Sequence, residues 1–370
     1  MSRMLLAPGR YIQGAGAIHE IGSHAVKFGK KAFLTGGKTA MSQCGSHIAA
    51  SLEKAGVGCL CEGFKGECSD QEIKRMIDIA KSGGCDLIIA AGGGKVIDTG
   101  KAVAYEMKVP VIIVPTIAAT DAPCSALSVI YTEEGVFSRY LVLPNNPQCV
   151  LVDTAVVAKA PARYLVSGMG DALATFWEAD TCAKSCKPNA LNGSTPPTLS
   201  AIALARLCYD TLLEHGVSAK LAVERQVVTP AVEAVVEANT LLSGLGFESG
   251  GLAGSHSVHN GLTVLEKSHG KLHGEKVAFG VITQLVMEGR PFKDLEEVLG
   301  FCLNVGLPVC MEDLGIVNPT RKEIREVAEA TAAVGETIHA TWFTVTADHV
   351  EAAIWAADAI GKNFKEHWEV

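Results

Sequence analysis

The chain lacks most of the marks of secreted, membrane or nucleic-acid proteins. It carries 12 cysteines but no C-x-x-C pair, so a cysteine-based zinc site is excluded. Most thiols sit in apolar runs such as L-A-R-L-C-Y around Cys208, the pattern of small buried hydrophobes in a reducing compartment. Cys182 and Cys186 are spaced to share a helix face, yet two thiols alone make a poor metal site. Long apolar runs are also missing. The longest, Val109 to Ala119, holds two prolines and one threonine and covers about half a membrane span. At the start, M-S-R-M-L-L-A-P-G-R offers only Met4 to Ala7 as an apolar stretch, too short for a signal core, so a soluble cytoplasmic protein with no membrane partner is expected. A basic excess is absent as well: the net charge of -8 and pI near 5.8 argue against a nucleic-acid partner. No repeat or low-complexity tract is visible.

What is present points to well-buried cores. Hydrophobic residues make up 48% of the chain and the mean hydropathy is +0.25. The length of 370 residues exceeds most single cores, so two domains are expected. Over residues 1–160, compact apolar runs at Lys31 to Thr35, Asp86 to Ala91 and Val109 to Val114 read as buried parallel strands. The amphipathic stretch Gln71 to Lys81 reads as a helix that stops at Gly83-Gly84. This rhythm predicts a doubly wound, Rossmann-like parallel sheet. A hairpin around Glu133-Glu134-Gly135 and a strand from Cys149 to Val152 follow. Residues 161–370 lose the strand signals and should be nearly all helix, with segments at Pro197 to Leu213, Pro230 to Leu245 and Ala347 to Lys365. Thr229-Pro230 supplies a capping hydroxyl and a first-turn proline.

Three places carry chemistry. The strand ending at Ala91 runs into Gly92-Gly93-Gly94-Lys95 and then a helix. Such a turn aims backbone N–H groups and the positive helix end at one spot, which suits a pyrophosphate, and Lys95 favours an anion. Neither G-x-G-x-x-G nor a P-loop is present, so a plain tight turn is the competing reading. The next polar loop runs from Pro115-Thr116 to Ser125, and in an open parallel sheet both loops line one crevice. Asp121 there is placed either to hold a hydroxyl or to cap a turn. The third place is residues 247 to 276, with His256, His259, His269 and His273 among glycines, which suggest close approach of backbone and substrate. A metal needs a carboxylate too, and Asp171 in S-G-M-G-D-A-L-A-T-F-W-E-A is the candidate. Its alternative is a first-turn aspartate that offsets a helix dipole.

The blocks I-I-A-A-G-G-G-K-V-I-D-T-G-K-A, V-P-T-I-A-A-T-D-A-P-C-S-A-L-S-V-I-Y, G-D-A-L-A-T-F-W-E-A, V-V-T-P-A-V-E-A-V-V-E-A-N-T-L-L-S-G-L-G-F-E-S-G-G-L-A, H-G-E-K-V-A-F-G and G-E-T-I-H cover most of the length. In them the chain resembles the glycerol dehydrogenases of the iron-containing alcohol dehydrogenase superfamily. That resemblance implies an N-terminal nucleotide-binding α/β domain and an all-α C-terminal domain, a dehydroquinate synthase-like architecture. It implies NAD and one divalent metal per subunit, zinc or else iron, with oxidation of glycerol to dihydroxyacetone and of other 1,2-diols. Carried over residue by residue, the metal falls on Asp171, His256 and His273, and the substrate on Asp121 and His256 with His259 beside them. Gly93, Gly94, Lys95, Asp98 and Thr116 would hold the cofactor phosphates and ribose, with Ser125, Leu127 and Tyr131 nearer the nicotinamide. His269 is left as a surface residue. Relatives imply a homo-oligomer, an octamer by analogy.

This sequence departs from the family pattern in three places. Gly37 stands where an acidic residue usually receives the adenosine ribose, so the usual anchor for NAD over NADP is missing and Lys38 would tolerate a 2'-phosphate. Ala119 replaces a serine beside the dinucleotide, a loss of about 1 kcal/mol. Gly254-Ser255 replaces alanines before His256. The rival readings, a dehydroquinate synthase-like NAD- and zinc-dependent lyase or a glycerol-1-phosphate dehydrogenase, call for several Arg and Lys near the metal. Residues 247 to 276 offer only Lys267, Lys271 and Lys276.

Overall fold

The computed structural model describes residues 2–194 and 196–368. Its strands are β1 (Tyr11–Gly14), β2 (Lys31–Gly36), β3 (Gly58–Gly63), β4 (Leu87–Gly92), β5 (Val111–Pro115), β6 (Leu127–Tyr131), β7 (Phe137–Val142) and β8 (Cys149–Asp153). Six of them form one parallel sheet in the order β1-β8-β5-β4-β2-β3, while β6 and β7 pair as an antiparallel hairpin. The central strands β4, β5 and β8 are buried throughout, as their unbroken apolar runs require when helices cover both faces. On one face Leu34, Ile89, Ile112 and Leu151 pack with Ile48 and Leu52 from the helix Ser46–Lys54.

Two strands have no counterpart in the sequence reading, and both lie at sheet edges. β1 is short and half-buried, with Tyr11 Oη donating to Gln13 Oε1, and β3 alternates exposed and half-buried positions. Edge strands bury little, so the apolar run that marks an inner strand is not required of them. The helix Asp70–Ser82 is capped by Ser69, which accepts from the Glu72 amide, and the backbone after it turns through Gly84 at φ +64°.

Strand order reverses between β2 and β4, since the chain runs outward from β2 to β3 and then returns to the other side of β2. Ligands of open α/β sheets bind at the carboxyl ends flanking such a switch point. Here β2 ends in Gly36-Gly37 and β4 in Gly92-Gly93-Gly94. The close fit demands glycine: a Cβ on Gly36 would stand 2.5 Å from the carbonyl oxygen of Ala91, and one on Gly92 2.9 Å from Val96.

After β8 the described chain holds helices and loops only. The expected helices appear as Leu199–Glu224, Pro230–Glu237 and Ala347–Glu366. The second of these is capped as anticipated, with Thr229 accepting from the Val232 amide, and continues as a π-helix Ala238–Leu242 into the helix Ser243–Gly250. Contacts divide the chain into two compact units, one of Leu6–Leu165 with Leu221–Gly244 and the other chiefly of Val166–Lys220 with the chain from Leu245 onward. A single cut near residue 160 therefore misses the segment Leu221–Gly244, which returns to the sheet-bearing unit. Its polar side chains explain the return: Glu233 accepts from Gln13 and Thr154, and the Asn239 amide donates to the carbonyls of Ala118 and Leu165.

Candidate functional site

Asp171 does not begin a helix. The helix Ala162–Ser185 carries it well inside, so the dipole-offset reading does not apply. Residues Ser167 to Gly170 lie within that helix, and Gly170 lets two helices cross there in backbone contact. A Cβ on Gly170 would lie 2.3 Å from the carbonyl oxygen of Gly274, and one on Gly274 1.7 Å from that of Ser167. The crossing sets Asp171 beside His273, the first residue of the helix His273–Met287. The helix Gly254–Leu262, which carries His256, packs on the same helix through Gly280, whose Cβ would meet the Ser255 carbonyl at 2.3 Å. These glycines thus serve close helix packing around the ligand candidates.

Three donor atoms converge as a result. Asp171 Oδ1 lies 3.2 Å from His256 Nε2 and 3.1 Å from His273 Nε2. One atom from each residue falls within 4.8 Å of the other two. Bonds of about 2.0–2.1 Å to a tetrahedral cation place neighbouring donors about 3.3–3.4 Å apart, so this set fits a zinc-like ion with little adjustment.

A fourth residue, absent from the sequence reading, organises the set. Glu178 is fully buried on the same helix face as Asp171, two turns further on. Its Oε2 lies 2.6 Å from His256 Nδ1, and its Oε1 accepts the amides of His256 and Ala253 at 3.0 and 2.9 Å. With Nδ1 held by Glu178, Nε2 is the nitrogen left beside Asp171 for a cation to take. The seven-residue spacing in D-A-L-A-T-F-W-E was the available signal.

Electrostatics agree with a cation site. Burial pushes the Asp171 carboxyl up, but His273 and His256 outweigh it and hold the group well below the usual carboxylate range. Burial alone would lower the His256 imidazole, yet Glu178 and Asp171 raise it well above the ordinary histidine value. A pocket that favours a proton on His256 so strongly favours a metal cation in its place. His259 differs: burial, then His273 and Lys276, hold it well below the ordinary value, so it stays neutral. Its ring centre is 4.2 Å from that of His273, and its Nδ1 faces Asn260 Oδ1 at 3.1 Å. His269 is exposed, with Nε2 on the Thr263 carbonyl. The G-E-T-I-H block supports the His256 helix, Thr337 Oγ1 donating to the Ala253 carbonyl and the Ile338 amide to Ser257 Oγ.

In the other unit the structure decides how Asp121 is used locally. The short helix Ala122–Cys124 has no side-chain cap from Asp121. The buried carboxylate instead accepts from Ser243 Oγ at 2.7 Å. Gly244 permits this approach, since a Cβ there would stand 2.9 Å from Cys124.

At the glycine turn, the helix Gly94–Met107 starts with no capping side chain on Gly93 and no acid in its first turn. Its leading N–H groups therefore suit an anion. A Cβ on Gly94 would meet nothing within 4 Å, which leaves room for one. The Thr116 amide donates to the Gly92 carbonyl, tying the second loop to the first. Asp98, expected among the cofactor contacts, is turned inward: its carboxylate lies 3.0 Å from Lys101 Nζ and accepts the Val129 amide at 3.1 Å. The buried Lys101, missed in the sequence, also donates to the carbonyls of Ala122 and Leu127 and so fixes the loop that carries Ser125, itself buried. Leu127 and Tyr131 open and close β6, Ala119 lies half-buried in the loop before Asp121, and Gly37 is half-buried just past β2. Burial, with Asp98 next, pushes the Tyr131 phenol up to about 12.

All twelve cysteines are free thiols, most of them buried, and Cys186 lies beyond its helix at φ +53°, so it does not share a face with Cys182. No helix among the described residues is long and apolar enough to cross a membrane.

Comparison with known proteins is consistent along the chain. A family model for iron-containing alcohol dehydrogenase matches residues 8–154. A glycerol dehydrogenase of Escherichia coli O6:H1 is 50% identical, with 100% of both chains covered. One from Thermotoga maritima is 52% identical over 96% of each. The crystal structure of glycerol dehydrogenase from Schizosaccharomyces pombe matches with a TM-score of 0.94 at 37% identity, covering 100% of this chain and 94% of that one.

Proposed function

Since the chain belongs to the iron-containing alcohol dehydrogenase family, we propose that it is a metal-dependent polyol dehydrogenase that oxidises glycerol to dihydroxyacetone, and other 1,2-diols, with hydride transfer to NAD. The observation that carries this reading is the convergence of Asp171 Oδ1, His256 Nε2 and His273 Nε2. Those three residues would hold the cation, zinc by their nitrogen and oxygen donors, ferrous iron being the alternative. A divalent cation bound there supplies Lewis acidity that draws electron density from an alcohol oxygen and eases loss of its proton.

The remaining work falls to side chains. Glu178 keeps the His256 ring oriented and holds Nδ1, which leaves Nε2 as the nitrogen that would meet the cation. Neutral His259, its ring tilted against that of His273, offers a ring nitrogen to a substrate hydroxyl. Asp121, set by Ser243, accepts another hydroxyl of the polyol and so orients the carbon that gives up hydride. Gly93, Gly94 and Lys95 hold the cofactor phosphates at the uncapped helix start, with Thr116 beside them. Ser125, Leu127 and Tyr131 line the nicotinamide side, and Asp98 acts from behind by anchoring β6.

A phosphate-bearing substrate is disfavoured. Of the three lysines in residues 247–276, Lys267 is already paired with Glu323 at 2.6 Å. A cytoplasmic homo-octamer completes the reading. Steady-state NADH formation with glycerol, 1,2-propanediol and glycerol 1-phosphate is the direct test. Turnover of the unphosphorylated diols alone is expected, and preference for the phosphate ester would overturn the assignment.

A further inference from the structure

Lys95 at the glycine turn already has a partner. Its ammonium is ion-paired with the carboxylate of Glu67 and lies 5.9 Å from the centre of the Tyr131 ring. Glu67 belongs to the segment that follows β3, and β2 lies between β3 and β4 in the sheet. To meet Lys95, that segment reaches across the carboxyl end of β2, where Gly36-Gly37 leaves the surface bare of side chains. It is not a free flap. The Tyr131 amide donates to the Cys68 carbonyl at 2.9 Å, the Lys65 amide to Glu72 Oε1 at 2.9 Å, and Ser69 caps the helix Asp70–Ser82. Backbone on both sides thus fixes the segment that carries Glu67, and the ion pair with Lys95 sets its carboxylate over the turn. Its second oxygen, Oε2, is buried and accepts no hydrogen bond among the described residues.

The result is an unusual charge balance for an anion site. The glycine turn and helix start offer a positive field, Lys95 adds one charge, and Glu67 cancels it with a carboxylate oxygen left uncompensated. On the reading that Gly93, Gly94 and Lys95 hold the cofactor phosphates, we propose that Glu67 is a built-in counter-charge that weakens dinucleotide binding and speeds its release. A bound diphosphate competes with Glu67 for Lys95 and is repelled by Oε2, whose segment is pinned at its backbone. On that reading each turnover ends with loss of the reduced cofactor, and in many enzymes release of product limits the rate. A carboxylate at this point therefore trades affinity for turnover. The same repulsion acts more strongly on any dinucleotide carrying an additional phosphate near β2.

The test is NADH affinity of the full-length protein, followed by nicotinamide fluorescence, with the dissociation rate taken from displacement by excess NAD. Glu67→Gln is expected to tighten NADH binding about tenfold, as removal of one charge a few ångströms away allows. The dissociation rate should fall by a similar factor, and the gap should narrow as salt is raised to about 0.5 M. Inorganic pyrophosphate, used as a competitor, should gain in the same proportion. Glu67→Ala removes charge and volume together and must move affinity in the same direction, which covers the case where the glutamine variant does not fold. Unchanged or weaker NADH binding in a folded Glu67 variant overturns the proposal. Lys95→Met separates the two levels: it must weaken NADH binding if Lys95 holds phosphate. If it does not, the phosphate assignment itself is wrong, whatever the Glu67 variants do.

Discussion

His256 Nδ1 and Glu178 Oε2 are 2.6 Å apart, and the other Glu178 oxygen accepts the amide of the same histidine. One buried carboxylate thus fixes the position and the ring orientation of His256. Glu178→Gln keeps the volume but removes the charge. Metal affinity should fall about 10–100-fold, read by competition with a chromophoric chelator. Unfolding of the metal-free variant should show that the fold persists. An unchanged metal affinity would reduce Glu178 to a packing residue.

The Gly170–Gly274 crossing should be equally sensitive. Alanine at 274 would put a Cβ 1.7 Å from the Ser167 carbonyl and 2.9 Å from the Asp171 amide. The helices must separate, at a cost of about 1–3 kcal/mol or more, and Asp171 leaves His273. We expect a lower Tm together with loss of bound metal. Gly270→Ala, where a Cβ meets nothing within 4 Å, should leave metal content intact.

Asp121→Ala removes the carboxylate that Ser243 orients. The glycerol KM should rise at least about tenfold, the loss of a charged hydrogen bond being worth about 1.5–3 kcal/mol, while NADH affinity stays the same. A rise in the cofactor Kd with an unchanged glycerol KM would move Asp121 out of the substrate site.

Gly37 adopts φ -66° and ψ 158°, open to any residue, and a Cβ there would meet only Val96 Cγ2 at 3.9 Å. Gly37→Asp should therefore fold normally and supply the ribose acceptor this chain lacks. The ratio of kcat/KM for NAD over NADP should rise about tenfold, equivalent to about 1.4 kcal/mol. No change in that ratio would show that the ribose lies elsewhere.

Metal removal should abolish activity and lower Tm, since an ion present at about 100 times its Kd stabilises the folded state by about 2.7 kcal/mol. Added zinc should restore both, and ferrous iron under anaerobic conditions is the comparison. Full activity in a chelated sample of verified metal content would refute the mechanism.

The sheet's inner strands were legible because burial on both faces forces unbroken apolar runs, as in Leu87–Gly92. The edge strands Tyr11–Gly14 and Gly58–Gly63 were not, since one open side relaxes that demand. Thr229-Pro230 announced a helix start through short-range capping chemistry, which needs no tertiary partner. Asp171 misled because Gly168 and Gly170 just before it are poor helix formers, so the segment reads as a helix start. The close contact with Gly274, distant in sequence, is what requires glycine at 170 inside a continuous helix.

The chain itself determined the types of group available: a carboxylate and histidines for a metal, a glycine turn for an anion, a bare Gly37 where an acid is usual. These follow from local composition and from blocks shared with a family. Tertiary structure alone decided which groups meet. It selected His256 and His273 over the exposed His269, recruited Glu178, turned Asp98 inward to Lys101 and set Glu67 against Lys95. Helix crossings and strand order set those meetings, and they depend on contacts between residues far apart along the chain.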